Sequence, residues 1–337
     1  MSLQNSPTDI AIIGMSALFP GAKDLKTYWQ NILNKVDAVH DAPDSWAKPY
    51  FDPNSSENDR IYTRKGGFLG DLAEFNPMEF GIMPNSVDGG EPDQYLALKL
   101  AQEALKDSGY DQRPFNRQKA GIILGRGTYV NRGNTNLMQH GLMIDQTLEL
   151  LKQLAPHLDE EALASIRQTL KDSLPPFTPE MSPGFVPNII SGRIANRLDL
   201  MGPNFIVDAA CASSLVAVEL AIRELLSDRC DIVIAGGVHA STPPPIYMVF
   251  CGLAALSRDK IRPFDAKSSG TLLGEGLGMV VLKKLGDAER DGDRIYAVIK
   301  GVGSSSDGKA LGLLAPRLEG EVLALQRVYG EDSIAPE

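Results

Sequence analysis

Short apolar segments rich in isoleucine and valine alternate along this chain with longer segments whose apolar residues recur every three or four positions. The first pattern is typical of β-strands and the second of helices that bury one face. Examples of the strand pattern are IAIIG, AGIILG, CDIVIAGG and GMVVLKKL. Because these segments are apolar on both sides, we expect helices on both faces of their sheet. The alternation predicts an α/β protein with a mainly parallel sheet.

The composition is that of a globular protein with room for a large core. The 337 residues are 43% hydrophobic and 23% charged, with a net charge of −10, which argues against a nucleic-acid-binding surface. No apolar run reaches the roughly 18 residues of a membrane span. The N-terminal stretch MSLQNSPTD is unlike a signal peptide, so we expect a cytoplasmic protein. The three cysteines lack the spacing of a zinc site or a disulfide framework, so we expect no bound metal.

The segment NFIVDAACASSLVAVELAIRELL, residues 204–226, changes from a strand pattern to a helix pattern around Cys211. A helix N-terminus favours an anion, so a thiol placed there is more readily ionised, and the same N–H groups can hold the oxyanion of an attacked thioester. The small residues around the thiol allow a sharp turn and leave room for a substrate. Cys211 is therefore a candidate nucleophile, although a buried structural cysteine is the alternative. Cys230 and Cys251 lie in apolar stretches, and we interpret both as buried core residues.

Two other patterns are interpreted as structural. The stretch GEGLG, residues 274–278, continues into a strand rather than opening a helix, so it is not a dinucleotide-binding loop. His239 follows a strand and has the chemistry of a general base, but a hydrogen-bonded structural histidine is the favoured interpretation.

The segment around Cys211 resembles the active-site segment of the β-ketoacyl synthases, in which the pattern is close to V-D-T-A-C-S-S-S-L-V-A-V. Ala209 and Ala212 depart mildly from that pattern, at small positions. The matching residues are Asp208, Ala210, Cys211, Ser213, Ser214 and Leu215. Other segments are similar to the family in the same order along the chain: IAIIGMSALFPGA, SGRIANRLDLMGP, RPFD, GEGLG and GVGSSSDG. The stretches GIMPNSVDGGEPDQYLALKLAQEAL and GIILGRGTYVNRG resemble the ketosynthases of iterative synthases, of the polyunsaturated fatty-acid, heterocyst-glycolipid and enediyne types.

This resemblance implies a thiolase-like α/β fold, in which two similar halves stack as α-β-α-β-α layers. It implies that Cys211 takes an acyl group from the phosphopantetheine arm of an acyl carrier protein and that the acyl group then condenses with malonyl-carrier protein. The arm belongs to the carrier, so no bound cofactor is expected, and family members are homodimers. The implied substrate-binding residues are Ala210, Ala212 and Phe250. The implied structural supports are Asp208, Asp265, Gly274, Glu275 and Gly276, and the resemblance implies that GEGLG forms a structural turn under the active site.

The two histidine motifs that the family uses in condensation are absent from these 337 residues. The family's two histidines lie in H-G-T-G-T and N-x-G-H stretches, and neither stretch occurs in the sequence. We expect residues 1–294 to form the N-terminal half of a ketosynthase domain and residues 295–337 to begin a truncated C-terminal half. The chain alone is then expected to be incompetent for condensation. The alternatives are a chain-length-factor-like subunit, a thiolase and, most seriously, a non-catalytic ketosynthase-like fragment or interaction subunit.

Overall fold

The structure is a computed structural model that describes residues 8–87, 90–127, 131–312 and 314–330. The strands are β1 (Ile10–Leu18), β2 (His40–Asp41), β3 (Lys65–Gly67), β4 (Ala120–Gly125), β5 (Asn204–Val207), β6 (Ile232–His239), β7 (Leu273–Gly274), β8 (Gly276–Lys284) and β9 (Ala297–Ile299). The α-helices are α1 (Leu25–Leu33), α2 (Asp44–Ala47), α3 (Pro92–Asp107), α4 (Arg132–Met138), α5 (Ile144–Leu154), α6 (Glu160–Asp172), α7 (Ile189–Leu198), α8 (Ser213–Leu226), α9 (Pro244–Gly252), α10 (Leu285–Arg290) and α11 (Leu318–Tyr329).

The main sheet has the strand order β5-β4-β6-β8-β1-β9. Strands β5, β4 and β6 are parallel, whereas β8 runs antiparallel between β6 and β1, and β9 pairs antiparallel with β1. The prediction of a mainly parallel sheet is therefore wrong, and the sheet is mixed. The physical reason is that β8 is buried between two strands, and a strand buried on both faces has the same continuous apolar sequence in either direction.

Helices cover both faces of this sheet, as its apolar strands predict. On one face α3 and α7 pack against β4, β6 and β8, and fully buried Leu98, Ile122 and Ile194 belong to that core. On the other face α8 packs against β4 and β6, with Ala217, Leu225 and other side chains in a smaller core. The described layers are thus α-β-α, and α8 is the helix that begins beside Cys211.

Two further parts lie outside the main sheet. Strands β2, β3 and β7 form a small second sheet, and helices α4, α5 and α6 form an insert between β4 and α7. Asp159 is the N-cap of α6, and its side chain accepts the N–H of Ala162 at 2.8 Å. Strand β9 adds to the edge of the main sheet, and the division of the chain at residue 294 stays a prediction. No helix in the described part of the chain is long and apolar enough to cross a membrane.

Candidate active site

Cys211 lies on a single 3₁₀ turn, Ala210–Ala212, between the end of β5 and the first residue of α8. Its side chain is exposed, whereas Cys230 and Cys251 are buried. Burial raises the pKa of the Cys230 thiol to about 11 and also raises the pKa of the Cys251 thiol. Among the three thiols, only Cys211 is both accessible and at the start of a helix.

The turn is closed by side chains from either end of it. The Ser213 hydroxyl accepts the N–H of Ala209 at 2.8 Å and donates to the C=O of Ala210 at 2.7 Å. The Asp208 carboxylate accepts the N–H of Ala210 at 3.0 Å. Ala210 has a φ of 48°, in the left-handed region that an alanine adopts at a cost of about 1–2 kcal/mol. The backbone directly before the thiol is therefore strained and held in place by hydrogen bonds.

Two glycines, Gly125 of β4 and Gly237 of β6, form the surface against which the N-terminus of α8 packs, here called the glycine seat. A Cβ on Gly125, at the end of β4, would lie 2.3 Å from the backbone carbon of Ser213. A Cβ on Gly237, in β6, would lie 2.8 Å from the Cβ of Ser214. Only glycine at these positions lets the helix start so close to the sheet edge, so the two glycines fix where Cys211 stands.

Cys211 lines an open cleft of about 620 Å³ at this edge of the sheet. The walls are mostly apolar or glycine backbone, as is usual for sites that bind small molecules. Predicted residues Ala210, Phe250, Gly274 and Gly276 also line the cleft. Its other lining residues include Phe19, Arg126, Leu215, Val218, His239, Ile246 and Leu273. The cleft brings together the segment around Cys211, the end of β4, helix α9 and the GEGLG stretch.

The GEGLG stretch is extended, and the expectation that it forms a turn is wrong. It joins β7 of the small sheet to β8 of the main sheet. Its glycines accommodate an aromatic ring, because a Cβ on Gly276 would lie 2.5 Å from the ring of Phe19. Its glutamate, Glu275, accepts the N–H of Leu69 and that of Thr242, both at 2.9 Å. Glu275 thereby connects two loops to the wall of the cleft.

His239 is half-buried at the end of β6 and lines the same cleft as Cys211. Its Nε2 lies 3.0 Å from the Thr242 hydroxyl. Burial lowers the pKa of the imidazole, and the guanidinium of Arg126 lowers it further, against the opposing carboxylates of Asp93 and Glu275. At neutral pH the imidazole is therefore uncharged and hydrogen-bonded, in keeping with a structural role.

Comparison with known families shows which family the chain belongs to. Residues 8–288 match the model of the β-ketoacyl synthase N-terminal domain. The chain belongs to the β-ketoacyl synthase family. The cysteine turn, its glycine seat and the cleft all lie within the matched residues.

The relatives of this ketosynthase chain are much longer synthases, and the chain matches only a small part of each. It is 35% identical over 98% of its length to one subunit of the polyunsaturated fatty acid synthase of Thraustochytrium sp., and it spans 12% of that protein. It is 36% identical over 97% of its length to the 6-methylsalicylic acid synthase of Aspergillus niger, and it spans 17% of that synthase. Among solved structures, the ketosynthase from module 6 of the bacillaene synthase of Bacillus subtilis 168 superposes with a TM-score of 0.74 at 30% identity, covering 95% of this chain and 48% of that one. The thiolase-like fold expected from the resemblance is that of these ketosynthases.

Three predicted site residues contact the site less directly or not at all. Ala212 is exposed on the turn but is not among the residues that line the cleft. Asp208 acts inside the turn, through its bond to Ala210. Asp265 is exposed, and its carboxylate accepts the N–H of Lys267 at 2.8 Å, which closes a local turn. The assignment of substrate-binding and supporting roles to these residues stays a prediction.

Sequence reasoning missed a buried polar cluster in the first turn of α3. Glu91 is 6% exposed and accepts the N–H of Gly133 at 3.1 Å, which ties α4 to the core, and burial raises the pKa of its carboxyl. Asp93 is 4% exposed and accepts the Arg126 Nε at 2.6 Å. The stretch EPDQ contains the signal for this cluster, since two carboxylates stand at the start of a helix whose buried residues are mostly apolar.

Proposed function

We propose that Cys211 is the acyl-accepting nucleophile of a ketosynthase that elongates polyketide or fatty-acid-like chains. The single observation that supports this most strongly is the placement of Cys211. It is the exposed thiol at a helix N-terminus, in an apolar cleft of about 620 Å³, while the other two thiols are buried. An acyl chain fits such a cleft, and the thioester carbon then lies at its mouth beside the sulfur.

The loading step transfers an acyl group between two sulfur atoms. The Cys211 sulfur attacks the thioester carbon of an acyl-carrier protein, a new thioester forms, and the carrier leaves as its free phosphopantetheine thiol with the proton from Cys211. The N–H groups of Ala209, Ala210 and Ala212 are all engaged within the turn. A backbone donor for the oxyanion therefore comes from Cys211 itself or from the first turn of α8.

The condensation step requires groups beyond those in this sequence. The acyl group on Cys211 is attacked by the carbanion left when malonyl-carrier protein loses carbon dioxide, which releases a β-ketoacyl-carrier product and, with one proton, the Cys211 thiol. The family's two histidines that assist this step have no counterpart among His40, His140, His157 and His239. We propose that a polypeptide of these 337 residues undergoes loading but does not catalyse condensation.

The proposed partners are an acyl carrier protein, which brings the phosphopantetheine arm, the other domains of a synthase, and a second copy of the chain. The outer edge of β5 supports the second copy, because β5 is the last strand of the main sheet among the described residues and its side chains are only half-buried.

Acyl loading measured by intact-protein mass spectrometry tests this function. The purified chain is incubated with an acyl-carrier protein, alongside Cys211→Ser and the matched control Cys251→Ser. We expect one acyl group on the wild-type chain and on Cys251→Ser, and none on Cys211→Ser. A folded wild-type chain that stays unmodified would instead support a non-catalytic interaction subunit.

A further inference from the structure

A buried ion pair joins three elements at the edge of the sheet where Cys211 stands. The Asp93 carboxylate accepts the Arg126 Nε at 2.6 Å through Oδ2 and the N–H of Ala240 at 2.7 Å through Oδ1. Asp93 and Arg126 are 4% and 8% exposed. Both oxygens of one carboxylate are therefore committed to groups on different parts of the chain.

These partners follow directly after the two strands that seat the cysteine turn. Arg126 comes immediately after Gly125 of β4, and Ala240 comes immediately after β6, which contains Gly237. The backbone N–H of Arg126 also donates to the C=O of Val207 at 3.0 Å, at the end of the strand that leads to Cys211. One carboxylate thus fixes the ends of β4 and β6 relative to each other and to α3.

A buried ion pair is a weak source of stability compared with a well-packed apolar pair of similar size, because both charges lose their hydration. Its hydrogen bonds are nevertheless directional and hold the partners at defined positions. We propose that Asp93 and Arg126 are positioning residues for Cys211, acting through the Gly125 and Gly237 seat of the α8 N-terminus. This inference rests on the proposed acyl-accepting function of Cys211 and adds residues that do not touch the reacting atoms.

A second buried ion pair offers a matched control at another place in the fold. The Lys283 Nζ lies 2.8 Å from Asp293, and the two side chains are 6% and 0% exposed. Lys283 belongs to β8 but does not line the cleft. Removing Lys283 leaves Asp293 with the Arg113 guanidinium at 2.7 Å, so the loss of stability of each variant is measured by urea unfolding and acyl loading is compared between folded chains.

The experiment compares Arg126→Met with Lys283→Met in the full chain, at a temperature where circular dichroism shows both folded. The rate and half-saturating concentration of acyl loading are measured, together with alkylation of Cys211 by iodoacetamide. For Arg126→Met we expect the maximal loading rate to fall by about tenfold or more and alkylation to slow by about threefold, with half-saturation little changed. For Lys283→Met each quantity should stay within about twofold of wild type.

Two further variants separate positioning from folding. Arg126→Lys keeps one donor for Asp93 and should recover much of the loading rate. The double variant Asp93→Leu/Arg126→Met removes both charges of the pair and leaves the Ala240 N–H without its acceptor, so it should still fold, yet it should load as slowly as Arg126→Met. Equal effects of Arg126→Met and Lys283→Met, or a double variant that loads at the wild-type rate, would overturn the inference. If no chain is loaded but the wild type is alkylated, the proposed function fails, and the alkylation rates still decide the positioning role.

Discussion

The Ser213 hydroxyl accepts the N–H of Ala209 at 2.8 Å and so closes the turn on which Cys211 stands. Ser213→Ala should leave the Ala209 N–H and the Ala210 C=O without this partner, which lowers the free energy of unfolding by about 1–3 kcal/mol. Acyl loading of Cys211 should slow as the turn loosens. Ser227→Ala is the control, since that hydroxyl bonds the Glu224 C=O at the other end of α8. Equal changes in urea unfolding and loading for the two variants would contradict the role of Ser213.

Gly125→Ala should displace the start of α8. The new Cβ would lie 2.3 Å from backbone atoms of Ser213, which cannot rotate away as a side chain can. We therefore expect a marked fall in the rate of acyl loading, measured by mass spectrometry. Gly286→Ala is the matched control, because a Cβ there meets nothing within 4 Å and Ala favours the helix. A Gly125→Ala chain that loads as fast as Gly286→Ala would show that this seat does not position Cys211.

Ala210→Gly should raise the thermal stability of the chain. The left-handed φ of 48° strains alanine but not glycine, and removing that strain outweighs the entropy of a new glycine by up to about 1 kcal/mol. Ala164→Gly, at an exposed position inside α6, should instead lower stability by about 0.5–1 kcal/mol. Melting temperatures measured by differential scanning calorimetry decide this, and a fall of similar size in both variants would argue against strain at Ala210.

The buried thiol of Cys230 should make the chain lose stability in alkali. Its pKa rises from 9.0 to about 11 on folding, so between these pH values the unfolded chain has released a proton that the folded chain retains. The contribution of the protonated Cys230 thiol to the free energy of unfolding is present below about pH 9. It is lost as the pH rises through about 11, by roughly 2–3 kcal/mol. The Cys230→Ala chain has no thiol at this position and should not show this loss of stability. Denaturation curves at intervals across that range should therefore show the wild type losing more stability than the variant, and parallel curves would be the contrary result.

Much of the site was predictable from residues close together in the sequence. The change from strand to helix around Cys211 is local, and the structure places β5, the turn and α8 where the pattern indicated. The direction of β8 was not predictable in this way, because apolar side chains on both faces fit a parallel or an antiparallel neighbour. The role of the GEGLG glycines also depends on a residue far away in the sequence, the ring of Phe19.

The residues that hold the site were missed for the same reason. Asp93 acts on Arg126 and Ala240, which lie 33 and 147 positions further along the chain. No local pattern in a single sequence shows that these segments meet at one edge of a sheet. Helix α9 was missed because its apolar side chains lack a strong helical period, and it brings Phe250 to the cleft.

Peptide mapping of the acylated chain is the measurement that tests the central claim most directly. The wild-type chain is incubated with acyl-carrier protein, quenched, digested, and the acyl group is located among the peptides that contain Cys211, Cys230 and Cys251. We predict that nearly all of the acyl group lies on Cys211, and that malonyl-carrier protein added to the loaded chain yields no β-ketoacyl product. Acylation spread over the buried cysteines, or none on Cys211 in a folded chain, would contradict the assignment of Cys211 as the nucleophile.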